Sequence, residues 1–134
     1  NPKVGLLKLI PSMDASVLAY MAQHYDGVII ESFGVGGLPN YETGGYYSVV
    51  EKWISLGKTV VMTTQVTNEG SNMSIYEVGR NIKNEFGLLE SYDMTLEATV
   101  TKLMWILGQT KERNQVKDLF YRTINRDILW KTGV

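Results

Sequence analysis

The sequence has no cysteine. Disulfides, thiol nucleophiles and cysteine-based metal sites are therefore excluded, and the absence agrees weakly with a cytosolic setting. There is one histidine, His24, so any imidazole-dependent triad or histidine metal site would have to use it. No apolar run reaches the roughly 18 residues of a membrane-spanning helix, and no stretch has the layout of a signal peptide. Charge of one sign is also missing: 13 basic against 14 acidic side chains leave a formal net charge of −1. Without a basic field, binding to nucleic acid or to an anionic membrane surface is not expected. Low-complexity segments, internal repeats and proline-rich linkers are absent as well.

What is present is an ordinary globular composition, 44% hydrophobic and 20% charged over 134 residues, enough for one domain with a real core. The chain opens on Asn1-Pro2 directly upstream of a strand, which reads as a cut end.

Strand and helix signals alternate. Residues 4–10 are mostly apolar and stop at Pro11, a buried strand. Asp14 is placed to cap the next helix, whose apolar stripe is Val17, Leu18, Met21 and Ala22. Asp26-Gly27 turns the chain into Val28-Ile29-Ile30, a β-branched second strand. A helix over about 45–56 gathers Tyr46, Val49, Val50, Trp53 and Ile54, and Gly57 ends it. Residues 59–63 form a third strand. Ser74-Ile75-Tyr76-Glu77 matches an S-x-x-E capping box, followed by Ile75, Val78, Ile82 and Phe86 at helical spacing. Leu88-Leu89 is a short fourth strand. Thr95 caps the longest helix, with Leu96, Val100, Leu103, Met104 and Leu107 turned inward, and a last helix buries Val116, Leu119 and Phe120. Trp53, Trp105, Trp130 and the methionines read mainly as core, with Trp130 the candidate for exposure.

Apolar strands separated by helices predict an α/β fold: a small doubly wound domain of about four parallel strands flanked by helices. Ligands of such domains meet the loops at the C-terminal strand ends, here 11–13, 33–40, 64–73 and 91–94.

Spacing alone yields no catalytic constellation. Gly34-Val35-Gly36-Gly37-Leu38-Pro39 has Pro39 where a dinucleotide fingerprint needs its third glycine, and a loop with unusual backbone angles explains it. His24 falls in a last helical turn, where the dipole favours it. Glu31 is a strand-end carboxylate, and Glu97 sits in a first turn. Glu77 is explained as the capping-box acid and Tyr76 as a first-turn aromatic. No metal or cofactor is expected.

Three stretches carry a family likeness. Val4-Gly5-Leu6-Leu7-Lys8-Leu9 with Gly27-Val28-Ile29-Ile30-Glu31-Ser32-Phe33-Gly34-Val35-Gly36-Gly37-Leu38-Pro39 is the first. Tyr76-Glu77-Val78-Gly79 is the second. Asp93-Met94-Thr95-Leu96-Glu97-Ala98-Thr99-Val100-Thr101-Lys102-Leu103 is the third and most specific. Together they resemble the C-terminal domain of bacterial L-asparaginases, in their cytosolic (type I) branch. Asn125-Arg126-Asp127-Ile128 stands where that branch has an Arg-Gly-Glu-Leu tail, with departures at Asn125, Asp127 and Ile128.

The resemblance implies a cytoplasmic two-domain amidohydrolase that converts asparagine to aspartate and ammonia. Its nucleophilic threonine and the activating threonine–aspartate–lysine group belong to an N-terminal domain missing from residues 1–134. This domain would hold no catalytic residue of its own and be inactive alone. It would form the interface of a homodimer or tetramer and lend residues to the neighbouring subunit's pocket.

The positions matching those lent residues are Gly36, Gly37, Tyr76 and Glu77. A carboxylate at Glu77 would read the substrate's ammonium, and a phenol at Tyr76 would stand near the nucleophile. Gly37 and Pro39 replace asparagines that periplasmic members carry in the glycine loop. Two other readings stay open: the asparaginase-like subunit of a glutamyl-tRNA(Gln) amidotransferase, and a stand-alone amino-acid-binding module.

Overall fold

The computed structural model describes residues 1–32, 45–64 and 87–128. Four parallel strands, β1 (Val4–Lys8), β2 (Gly27–Ser32), β3 (Thr59–Thr64) and β4 (Leu89–Glu90), lie side by side in the order β1-β2-β3-β4. The register runs Leu6↔Ile29↔Val61↔Leu89 in one row and Leu7↔Ile30↔Met62↔Glu90 in the next. Around the sheet stand α1 (Ser16–His24), α2 (Tyr46–Ser55), α3 (Leu96–Leu107) and α4 (Arg113–Tyr121).

The two-residue period of the strands divides the core between the faces. Leu7, Val28, Ile30, Val60, Met62 and Leu88 point to one side and pack with Leu18, Met21, Ala22, Val50 and Trp53 of α1 and α2. Ile29, Val61 and Leu89 point to the other and pack with Leu103, Ile106, Leu107, Val116 and Phe120 of α3 and α4. Right-handed crossovers that all advance in one direction stack their helices on one face, and α1 and α2 do share a face. The opposite face would be bare if α3 and α4 did not return across it. The expected α/β architecture, parallel strands covered on both sides, is thus the one found.

Local signals set the element ends. Asp14 takes the Ser16 N–H at 2.7 Å, and the Ser16 hydrogen bonds hold its carboxyl below the ordinary range. Thr95 accepts from Ala98 N–H at 3.1 Å and caps α3. Gly57, at φ +73°, closes α2. Its N–H donates to Ile54 O at 2.9 Å, and that of Lys58 to Trp53 O at 3.1 Å. This double bond pattern is the Schellman motif, whose left-handed residue favours glycine.

Three core assignments are corrected. Val17 is exposed, because the buried stripe of α1 is Leu18, Met21 and Ala22 and residue 17 falls beside it. Met104 is also exposed: an i, i+4 row such as 96, 100, 104 precesses about 40° per step, and it leaves the face centred on Thr99, Leu103 and Ile106. Trp105, two residues past Leu103 and so roughly 200° round the helix, is 51% exposed. Trp53 is fully buried as expected, and Trp130 lies outside the described residues.

Candidate functional site

Because every strand is parallel, all four C-terminal ends open on the same edge, where loops rather than ladder bonds finish the chain. After β1, residues 10–13 turn through Ser12, at φ +67°. Met13 N–H closes the turn on Ile10 O at 3.2 Å, and the Tyr46 hydroxyl donates to Met13 O at 2.7 Å. At the end of β2, Glu31 is half-buried and Ser32 buried, and the Ser32 hydroxyl donates to Thr63 O at 3.1 Å.

β4 ends in Glu90, which is fully buried, followed by buried Ser91 and Tyr92. Ser91 N–H donates to Met62 O, and Met94 N–H closes a turn on Ser91 O, both at 2.9 Å. Tyr92 takes φ +48°, a conformation that costs a side-chain-bearing residue about 1–2 kcal/mol. Burial of its ring, 6.0 Å from that of Tyr121, offsets the strain. Two of the edge turns therefore hold non-glycine residues in the left-handed region, the kind of stored strain that gathers at functional edges.

Tyr121 receives the Glu90 N–H at 3.0 Å, and burial pushes its phenol well above the ordinary range. Carboxylates at Glu31, Glu90 and Asp93 and hydroxyls at Ser32, Thr63, Ser91 and Tyr92 all come from this edge. Among the described residues no group of His, Asp and Glu could hold a metal ion. His24 is at the opposite edge, exposed in the last turn of α1 and packed on the Tyr20 ring at 4.4 Å.

The four residues singled out from the sequence, Gly36, Gly37, Tyr76 and Glu77, lie outside the described residues, as does the Ser74 capping box. The described strands that lead toward them are neighbours: Ser32 ends β2 directly opposite Thr64, which ends β3.

Pattern reading missed three other features. Glu90 hid behind the apolar pair Leu88-Leu89. Lys102 is buried on α3, where its ammonium meets Asp127 at 2.7 Å and donates to Arg122 O at 2.6 Å. Its position beside Thr99, Leu103 and Ile106 on the inward stripe was the available signal. The third is a cavity at the N-terminal strand edge, bordered by Lys58, Lys111, Arg113 and Lys117.

The family model of the glutaminase/asparaginase C-terminal domain matches residues 3–120. The chain belongs to this family. An L-asparaginase of Thermococcus kodakarensis is 38% identical over 128 residues, covering 96% of the chain and 38% of that protein. A glutamyl-tRNA(Gln) amidotransferase subunit of Methanobrevibacter smithii is 32% identical over 133 residues, 98% of the chain and 29% of its own length.

Among solved structures, the Thermococcus kodakarensis thermostable L-asparaginase superposes with a TM-score of 0.89 at 37% identity, covering 98% of the chain and 39% of that structure. L-asparaginase I of Vibrio cholerae shares the fold, with a TM-score of 0.83 at 24% identity over 97% of the chain and 39% of that structure. The chain thus spans less than two-fifths of the length of these relatives. Among its described residues, no helix is long and apolar enough to cross a membrane.

Proposed function

We propose that this domain is the C-terminal part of a cytoplasmic L-asparaginase of the type I branch, working with an N-terminal domain that carries the nucleophile. The observation that carries this reading is the 38% identity to an L-asparaginase over 96% of the chain. It is supported by the parallel sheet, whose strand C-termini share the edge at which ligands of such folds bind. In this reading Tyr76 and Glu77, with the glycine loop at Gly36 and Gly37, complete the pocket of a neighbouring subunit in a homodimer or tetramer. Tyr76 stands near the nucleophile and Glu77 takes the ammonium of asparagine.

The test is ammonia release from asparagine and from glutamine, by the 134-residue chain alone and by a parent protein that includes the N-terminal domain. The expected result is no release from the chain alone, and release from asparagine by the parent. Turnover by the isolated chain would overturn the division of labour.

A second reading rests on the similar glutamyl-tRNA(Gln) amidotransferase subunits, of which one, from Methanococcus maripaludis, is 33% identical over 94% of the chain. It predicts amide hydrolysis coupled to glutamyl-tRNA and a partner subunit. An asparaginase active on free asparagine without tRNA would exclude it.

A further inference from the structure

The polar C-terminal edge has a counterpart at the other end of the sheet. There the turn from α2 into β3, the approach to β4 and the start of α4 enclose a cavity of about 460 Å³. Its apolar wall includes the buried Val60, near the start of β3, and the buried Leu88, just before β4. Four of the residues that border it are basic: Lys58, Lys111, Arg113 and Lys117. No carboxylate is among its described lining residues, although acids outnumber bases in the chain.

Arg113 and Lys117 are like charges at i, i+4 on α4, a spacing that costs a helix a few tenths of a kcal/mol. Lys111 and Arg113 flank the start of α4, the positive end of its dipole. Glu112 caps that end, accepting from Asn114 and Gln115 N–H at 3.0 and 2.9 Å, but it does not line the cavity.

Three of the cations are held in place by partners that leave donors over. Lys58 donates to Ala22 O and lies 5.8 Å from the centre of the Trp53 ring. Arg113 donates to Ile54 O at 3.0 Å, and Lys111 reaches Asp26 at 3.3 Å. Lys58 and Lys111 are thus engaged by Ala22 O and Asp26, which leaves Arg113 and Lys117 as the cations whose field a concave, partly apolar site focuses on an anion. Its volume falls in the range of small-molecule sites.

We propose that this cavity binds a small organic anion, carrying a phosphate or paired carboxylates, with the anionic group at Arg113 and Lys117 and the carbon skeleton against Val60 and Leu88. The site lies at the sheet edge opposite the proposed substrate pocket, so its occupant is a separate ligand. The assignment does not rest on which amide the parent protein hydrolyses.

The experiment is calorimetric titration of the chain with inorganic phosphate and with malonate, at ionic strength held constant with sodium chloride. It is repeated on Arg113→Gln, Lys117→Gln and Lys8→Gln. Saturable binding of at least one probe is expected. Removing one charge-assisted hydrogen bond should weaken it by about tenfold or more in Arg113→Gln and Lys117→Gln. Lys8→Gln, at the far end of β1, should bind as the parent chain does. Preference for phosphate would identify a phosphorylated ligand, and preference for malonate a dicarboxylate. Lys117 is exposed on α4, so its variant tests the site even if Arg113→Gln fails to fold. No saturable binding of either probe, or equal affinity in all four proteins, would overturn the assignment.

Discussion

The buried Lys102–Asp127 pair makes a prediction with a definite asymmetry. The lysine side chain is 4% exposed and that of the aspartate 14%, so the ammonium is the deeper charge. It has two oxygen partners, Asp127 at 2.7 Å and Arg122 O at 2.6 Å, and through them it ties the exit of α4 to α3. Asp127→Ala leaves that ammonium buried without its counter-ion, at a cost of about 3–5 kcal/mol. For a domain of this size the loss corresponds to a Tm lower by roughly 10–20 °C. Lys102→Met removes the deeper charge and puts an apolar chain of similar length in its place. The aspartate left behind is nearer to water and still accepts the Ile124 N–H at 2.7 Å, so the cost should be at most about half as large.

Asp127→Asn can keep the Ile124 bond while discarding the charge, and it gives the pH arm of the test. Burial pushes the Asp127 carboxyl upward, but the Ile124 N–H and the Lys102 ammonium outweigh it, and the folded value lies below the ordinary one. A depressed folded value stabilises the fold above the unfolded value near 3.9, and that contribution is lost as pH falls through the folded value. The gap between parent and Asp127→Asn should therefore be full at pH 7 and close below about pH 4. Urea denaturation across pH 3–7 measures both effects. A Lys102→Met variant less stable than Asp127→Ala, or an Asp127→Asn gap that does not change with pH, would refute the reasoning.

Gly57→Ala should cost about 1 kcal/mol for its φ of +73° alone, since an added Cβ meets nothing within 4 Å; Gly57→Asn should cost less, and urea midpoints compare them. Trp53→Phe should cost about 2–3 kcal/mol, because it opens space in the core and removes the bond that the indole N–H donates to Leu18 O at 3.0 Å. The check is a lower urea midpoint at unchanged m. In a parent enzyme with its N-terminal domain, Tyr76→Phe should lower kcat more than it raises KM; an effect confined to KM would make the hydroxyl a uniform binding contact.

The parts of the fold that were legible in the sequence are those fixed by neighbours along the chain. Gly57 could be assigned because a helix end needs a left-handed residue within one turn. Thr95 could be assigned because its partner, Ala98, is three residues away. The strands could be assigned because β-branched runs such as Val28-Ile29-Ile30 have one use in a chain of alternating helices. Which face of a helix is buried was less legible. The row Leu96, Val100, Met104 is as apolar as the one chosen, and only the docking of α3 on the sheet selects Thr99, Leu103 and Ile106.

The sites show the same division more sharply. The resemblance pointed to Gly36, Gly37, Tyr76 and Glu77, four residues that physical pattern alone assigned to a loop and a helix cap. The cationic cavity is drawn from Lys58 and from the later group Lys111, Arg113 and Lys117, brought together only when β3 lies beside β4 and α4 returns over the sheet. Within the sequence Lys58 follows a helix-ending glycine, and the other three belong to a stretch that also carries Glu112. It is the parallel order of the strands that brings four basic residues to the border of one cavity, and a property of strand order leaves no mark in any single stretch of sequence.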